Sequence, residues 1–404
     1  MRILHTSDWH LGNRWKELSR EDEFAAYLDW LLQVMRERAV DALLISGDIF
    51  DTSSPSDGTL KMFHDFLSKA DETGCRAIIM TGGNHDGVAQ LEATAPLLER
   101  YHACLISHLK PDAVQDCLIE LKDANGKVAA LVCAVPFLRV RDVSVCVEGD
   151  AVQMSYVRGV EAVYRSVAEL AAEWKQAHPG MPVVAMGHLA VGGAPATDST
   201  RALIGYVDCV DAEVFAPVFD YVALGHIHKG YSLQDGRIRY CGSPLPMGID
   251  EAQLPHRVVL VETDGSTLKH ESIEVPVFVA YAARTCANPA ELDALADELS
   301  TLAGNASTPT LCLECTYTGT DMSLNELKRY TADWGAKPFM KHFKPMLACS
   351  AGMLSIDNGR EDELSAYDPE RIFEYKLQSE FADMPASKQE TMRAMFREIL
   401  TQLN

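Results

Sequence analysis

Eight side chains in this sequence are of types that gather around metal ions: Asp8, His10, Asp48, Asn84, His85, His188, His226 and His228. They are carboxylates, an amide and imidazoles, with no thiolate among them. That donor mix suits octahedral Mn2+ or a related divalent ion rather than structural zinc. They fall in short motifs: Asp8-Trp-His10, Gly47-Asp48, Gly83-Asn84-His85-Asp86, Gly187-His188 and Gly225-His226-Ile-His228. Asp8 and His10 can grip one ion together, and Asp48, with two oxygens, can bridge two. A pair of cations about 3.5–4 Å apart clamps a phosphoryl oxygen and lowers the pKa of a bridging water, which attacks phosphorus in line. No covalent enzyme intermediate is required. One histidine is then left off the metals, to protonate the leaving oxygen or to steady the transition-state charge. The set predicts a two-metal centre that hydrolyses phosphate esters.

Residues this far apart in sequence meet when several strand ends share one crevice, as they do at the carboxyl edge of an open α/β sheet. The chain supplies such strands. Ile3-Leu4 begins one that ends at Ser7-Asp8, and Phe24, Tyr27, Leu28, Leu31, Leu32 and Met35 then recur at helical spacing. Ala42 to Ser46 predicts a buried strand, Lys61 to Ala70 a helix, and Arg76 to Thr81 a strand turned by Gly82-Gly83 into Asn84-His85. Alternation of this kind implies right-handed crossovers and a mostly parallel sheet. After a hairpin at Lys122 to Gly126, strands are expected at Val128–Val135, Val183–Gly187 and Tyr221–Leu224, with a helix over Tyr156–Trp174. Shorter strands at Arg237–Cys241, Arg257–Glu262 and His270–Glu274 complete a main domain over 1–275.

Beyond it, 276–348 reads as a small α/β unit, with helices over Pro289–Leu302 and Ser323–Trp334 and a strand over Leu311–Thr316. Residues 349–367 are polar and linker-like, and 368–404 carry two helical stripes. Ser387-Lys-Gln-Glu390 is a capping box that opens the second stripe, Met392, Met395, Phe396, Ile399, Leu400 and Leu403. That apolar face has two possible covers, the chain's own main domain or another protein.

The charge balance, 36 basic against 58 acidic residues for a net −22, repels a DNA backbone at long range. It admits a small substrate, a partner that supplies binding surface, or a local basic face. The eleven cysteines sit mostly in apolar stretches and read as reduced, buried thiols. Cys312-Leu-Glu-Cys315 lies in a strand, where alternation puts its sulfurs on opposite faces and disfavours a metal pair. No apolar run is long enough for a membrane span and no signal-peptide layout is present, so a cytoplasmic location is the default.

The order Asp-x-His, Gly-Asp, Gly-Asn-His-Asp, Gly-His, Gly-His-x-His resembles the calcineurin-like metallophosphoesterases, from the start of the chain to the vicinity of Gly230. The resemblance implies a four-layer α/β sandwich, two mixed sheets flanked by helices, holding two divalent ions. It implies one ion on Asp8, His10, Asp48 and His228 and the other on Asp48, Asn84, His188 and His226. His85 is then the unligated catalytic histidine, hydrogen-bonded to a carboxylate, a role for which Asp86 is poorly placed.

Further motifs narrow the likeness: Ile3-Leu-His-Thr-Ser-Asp-Trp-His-Leu-Gly12, Gly47-Asp-Ile-Phe-Asp-Thr52, Pro136-Phe-Leu-Arg139, Ala223-Leu-Gly-His-Ile-His228 and Tyr240-Cys-Gly-Ser-Pro244. Together they are similar to the SbcD family, nuclease subunits of SbcCD complexes related to the eukaryotic double-strand-break repair nuclease. That likeness implies a DNA exonuclease and endonuclease loaded with Mn2+, or Mg2+, serving repair, recombination and replication at the nucleoid. It also implies a homodimer through the nuclease domain, a DNA-facing capping domain over 276–348, and C-terminal helices that grip a coiled-coil ATPase of the SbcC type. Relatives commonly place a histidine three residues after the bridging aspartate, where this chain has Asp51, so that histidine's role does not transfer. Arg14, Arg139 and Arg141 are candidate contacts to DNA phosphates. Two other readings remain: a small-molecule phosphodiesterase or phosphoprotein phosphatase, and a non-catalytic scaffold.

Overall fold

Alternate residues of the central strands enter different cores, which is why those strands are apolar throughout rather than patterned. In Ala42–Ser46, Ala42 and Leu44 point to one side, Leu43 and Ile45 to the other. Val183–His188 divides in the same way, Val184 and Met186 against Val183 and Ala185. This computed structural model describes residues 1–16, 18–143, 152–192, 209–264, 268–303 and 310–348, with Gln389, Met392, Arg393 and Phe396.

The strands form two six-stranded sheets. The first runs Leu268–Glu274, Arg257–Thr263, Arg2–Thr6, Ala42–Ser46, Ala77–Thr81, Ala103–Ile106; its last four strands are parallel and the other two antiparallel. The second runs Tyr231–Leu233, Ile238–Tyr240, Tyr221–Gly225, Val183–His188, Val128–Ala134, Leu118–Lys122, parallel at its centre and antiparallel at each edge. Ile3, Leu44, Ile79, Val132, Val184, Met186 and Ala223 pack between the two sheets. Helices Glu21–Glu37, Asp57–Asp71 and Val88–Leu98 cover the outer face of the first sheet, and Val152–Ala177 that of the second. This is the expected four-layer sandwich. The apolar stripe from Phe24 to Met35 lies buried against the first sheet, as its spacing requires.

A third, all-parallel sheet, Val279–Cys286, Thr310–Tyr317 and Met340–Leu347, carries helices Pro289–Ala303 and Leu324–Tyr330. It has its own core around Leu292, Leu299, Leu313, Tyr317 and Trp334. Ser323 caps the second helix through a reciprocal capping box with Glu326. That helix stops at Tyr330, short of the expected Trp334: Thr331 ends it, and the chain continues as turns through Lys337 that still bury Trp334. Cys315 enters this core, while Cys312 faces Trp15 and Tyr281 on the other side, so the two thiols are apart as alternation demands. Met1–Leu347 form one compact unit and Ala348–Asn404 a second. The expected linker and C-terminal helices lie outside the described residues but for the four named above. Among the described residues, no helix is long and apolar enough to cross a membrane.

Candidate metal centre

The candidate ligands follow the carboxyl ends of strands from both sheets. Asp8 comes just after Arg2–Thr6, Asp48 after Ala42–Ser46, Asn84 and His85 after Ala77–Thr81, and His226 and His228 after Tyr221–Gly225; His188 ends its own strand. Asp8, His10, Asp48 and His226 have φ of 51°, 47°, 49° and 92°, the left-handed region that side chains other than glycine seldom adopt. Strained backbone of this kind persists where the surroundings over-determine it, and it collects at functional sites. Here the loops hold one another. Asp8 N–H donates to the Gly47 carbonyl at 3.1 Å and His10 N–H to that of Asp48 at 3.0 Å. His226 N–H donates to Asp8 Oδ1 at 2.8 Å and His85 N–H to Asp48 Oδ1 at 2.9 Å. Two glycines permit this closeness: a Cβ on Gly47 would stand 2.1 Å from His188 Nδ1, and one on Gly83 2.1 Å from Asp48 Oδ1.

Three imidazoles share one arrangement, Nδ1 turned outward to an oxygen and Nε2 turned into the centre. His188 Nδ1–H donates to the Ser46 carbonyl at 2.8 Å, while its Nε2 lies 2.9 Å from Asn84 Oδ1 and 3.1 Å from Asp48 Oδ2. His228 Nδ1 is 3.0 Å from Glu251 Oε1. His10 Nδ1 is 3.3 Å from Asp51 Oδ1, a contact short of hydrogen-bond geometry, and its Nε2 is 3.6 Å from Asp48 Oδ2. An outward acceptor fixes the proton on Nδ1 and leaves the Nε2 lone pair for a cation. His226 is reversed, with Nδ1 3.1 Å from Asn84 Oδ1. The Nε2 atoms of His10 and His228 are 3.2 Å apart. Two lone pairs at that distance repel unless a proton or a cation lies with them. Asp8, His10 and His228 offer ligand atoms within 4.8 Å of one another, as do Asp8, Asp48 and His188. These donors fit divalent cations.

The electrostatics agree. Burial pushes the Asp48 carboxyl up, but the neighbouring imidazoles, His188 foremost, hold it well below the usual carboxylate range. Burial pulls His188 down, yet Asp48 carries it up to about 9. Burial, then the charge on His188, lowers His226 to about 3. Buried carboxylates demand a positive charge and take it from a protonated imidazole; a metal ion competes for the same place and expels that proton.

His85 lies beside the group, its ring edge-on to His10 at 4.7 Å between centroids. Its expected carboxylate partner is not there: Nδ1–H donates to the backbone carbonyl of Asp51 at 2.8 Å. Asp86 is turned away to accept from the N–H groups of Gly83, Phe50 and Ile49 at 2.8, 3.0 and 3.2 Å, so it braces two of the ligand loops. Burial and then Asp48 push its carboxyl up to about 6. The His85 Nε2 is buried and has no hydrogen-bond partner among the described residues.

Of the candidate arginines, Arg139 is half-buried and donates to the Asp86 carbonyl at 3.3 Å. Arg14 is exposed on the short strand Arg14–Trp15. Arg141 belongs to the turn of helix Val140–Val143, and its side chain lies outside the described residues. Two residues of the site, Glu251 and Phe137, are given no role from the sequence. Glu251, fully buried, also accepts from Met247 N–H at 2.9 Å; nothing in its polar surroundings, Gly248-Ile-Asp-Glu251, sets it apart from a solvated loop carboxylate. Phe137 stacks near His226, centroids 6.4 Å apart, and its N–H donates to the Gly82 carbonyl at 2.8 Å. The one signal for it is its place in Pro136-Phe-Leu-Arg139.

The family profile described as calcineurin-like phosphoesterase matches residues 1–230. Among curated proteins, the chain is 35% identical over 283 residues to the SbcD component of the SbcCD nuclease of Escherichia coli strain K12, covering 69% of each chain. It is 34% identical over 290 residues to that of Rhodobacter capsulatus, 69% of this chain and 70% of that one. The Bacillus subtilis counterpart is 31% identical over 267 residues, 65% of this chain and 66% of its own. With the ligand-bearing loops in place and these relatives spanning most of the sandwich, the chain belongs to the calcineurin-like phosphoesterases, within the family of SbcD nuclease subunits.

Proposed function

We propose that the chain is a Mn2+-dependent DNA nuclease, an exonuclease on duplex ends and an endonuclease on single strands and hairpins, working in repair, recombination and replication. The observation that carries this is Asp48, which lies between two donor groups, 3.6 Å from His10 Nε2 and 3.1 Å from His188 Nε2. On this reading Asp8, His10, Asp48 and His228 hold one ion, and Asp48, Asn84, His188 and His226 the other. Bound there, two divalent ions would neutralise phosphoryl oxygens and lower the pKa of an attacking water. The residues do the rest. Ser46 and Glu251 aim two of the imidazoles and Asp51 faces the third; the Asp51 carbonyl orients His85, whose Nε2, without a partner among the described residues, is the group to donate to the leaving oxygen. Arg139, beside the His85 loop, is placed to meet a backbone phosphate, and Arg14 and Arg141 are further candidates.

The SbcCD relatives support an SbcC-type partner. On the reading proposed here that partner is a coiled-coil ATPase gripped by the C-terminal segment, with the three-stranded sheet facing DNA and the sandwich forming a homodimer in the cytoplasm. A partner also answers the net charge of −22, since DNA affinity then belongs to the assembly. The same charge favours a second reading, a small-molecule phosphodiesterase or phosphatase. The deciding experiment is cleavage of end-labelled duplex DNA by the full chain with Mn2+, beside p-nitrophenyl phosphate and His85→Ala. Expected are DNA products that fall by about 10²–10⁴-fold in the variant, with little monoester turnover. Monoester turnover with no DNA cleavage, even with the ATPase added, would establish the second reading instead.

A further inference from the structure

A line of polar groups, fully buried at Glu23 and Arg20 and half-buried at Asn13 and Asp51, runs from the three-stranded sheet to the metal centre. Tyr281, on the strand Val279–Cys286, donates its hydroxyl to Glu23 Oε2 at 2.6 Å. Glu23 pairs with Arg20 at 2.7 Å, the two side chains 1% and 0% exposed. Arg20 Nη1 donates to Asn13 Oδ1 at 2.8 Å, and Asn13 Nδ2 donates to Asp51 Oδ1 at 3.0 Å. That same Asp51 oxygen is 3.3 Å from His10 Nδ1, and the Asp51 carbonyl accepts from His85 Nδ1–H at 2.8 Å. Asp51 is therefore a junction: its side chain faces a proposed ligand and its backbone holds the proposed acid.

The line is confined at its inner end. The Arg20 guanidinium is set against Phe24 and Tyr281 at 5.2 and 5.3 Å and against Trp15 at 6.0 Å, and Trp15 stacks on Tyr281 at 4.0 Å. Asn13 leads directly into Arg14-Trp15, so the segment that carries the relay also carries the sheet's docking aromatic. Each member has its hydrogen-bonding role fixed by chemistry. The guanidinium only donates, the carboxylates only accept, and the Asn13 amide must turn its oxygen to Arg20 and its nitrogen to Asp51. Such a chain transmits orientation, because turning one member breaks the hydrogen bond it makes with the next.

We propose that Tyr281 is a positioning residue for the metal centre, acting on His10 and His85 through Glu23, Arg20, Asn13 and Asp51. Seating of the three-stranded sheet on the sandwich then sets the affinity of the ion that His10 holds. The inference rests on the two-metal reading above. A bare staple between sheet and sandwich would contribute to stability and leave metal affinity alone, which gives the test.

Mn2+ is titrated calorimetrically into the full chain and into Tyr281→Phe, Asn13→Ala and the double variant, with melting followed in EDTA. Tyr281→Phe keeps the ring on Trp15 and removes one hydroxyl. Asn13→Ala is expected to weaken one of two Mn2+ sites by about 10-fold, the low end for loss of an outer-shell partner. Tyr281→Phe is expected to weaken the same site by about threefold, as befits a distant member of a coupled network. The double variant should bind no more weakly than Asn13→Ala, since a broken relay cannot be broken twice. Unchanged Mn2+ affinity in Tyr281→Phe, or losses that simply add, would overturn the relay while leaving the metal centre standing. A full chain that binds no Mn2+ would instead overturn the metal reading, and the relay with it.

Discussion

At the scale of single residues, the centre is a set of imidazoles whose outer nitrogens each face an oxygen. His188 is held by a backbone carbonyl and His228 by Glu251, while His10 faces Asp51 at 3.3 Å without a hydrogen bond, and only the first of these partners is fixed by the strand itself. Removing Glu251 frees the His228 ring and its tautomer. Glu251→Ala should therefore weaken Mn2+ binding by about 10–100-fold, whereas Glu251→Gln, which retains an oxygen toward Nδ1, should lose less. Calorimetric titration of both variants checks this; equal and undiminished affinity would show that His228 needs no such support.

At the scale of elements, the two sheets must stay in register for ligands from both to converge, and a polar contact crosses the apolar layer between them. His5 Nδ1 lies 3.0 Å from the Tyr221 hydroxyl, with both residues buried. Burial lowers the pKa of His5 from 6.5 to about 3, so the folded protein keeps the ring neutral where the unfolded chain would protonate it. Protons then bind the unfolded state preferentially between those two values. The stability is whole above pH 6.5 and declines as pH falls toward 3. At pH 4 the loss from this one group is roughly 3 kcal/mol. His5→Asn, which cannot titrate there, should melt with a visibly shallower pH dependence between 6.5 and 4 when followed by calorimetry. Parallel profiles would assign the acid sensitivity to other groups.

At the scale of the whole molecule, every proposed ligand and His85 lie within Met1–Leu347, one of the two units. A chain ending at Leu347 should bind Mn2+ as the full chain does and still cleave short single-stranded DNA. The same chain should no longer capture an SbcC-type ATPase in a pull-down. Retention of the ATPase by the shortened chain would place the docking surface on the sandwich or on the three-stranded sheet.

The ligand types and the strand ends that carry them were legible in the chain of residues alone. Glycine-flanked motifs and doubly apolar strands are local properties, dictated by close backbone approach and by burial of both sheet faces. Gly47 and Gly83 illustrate it, since any side chain there would overlap His188 or Asp48. The stripe from Phe24 to Met35 was legible for the same reason. Glu251 as the support of His228, the Asp51 carbonyl in place of a carboxylate at His85, and Glu23 beneath Tyr281 were decided only by the tertiary structure. Each of these depends on which polar groups face one another once the chain is folded. A buried carboxylate and a solvated one are the same letter, and only packing excludes the water that tells them apart.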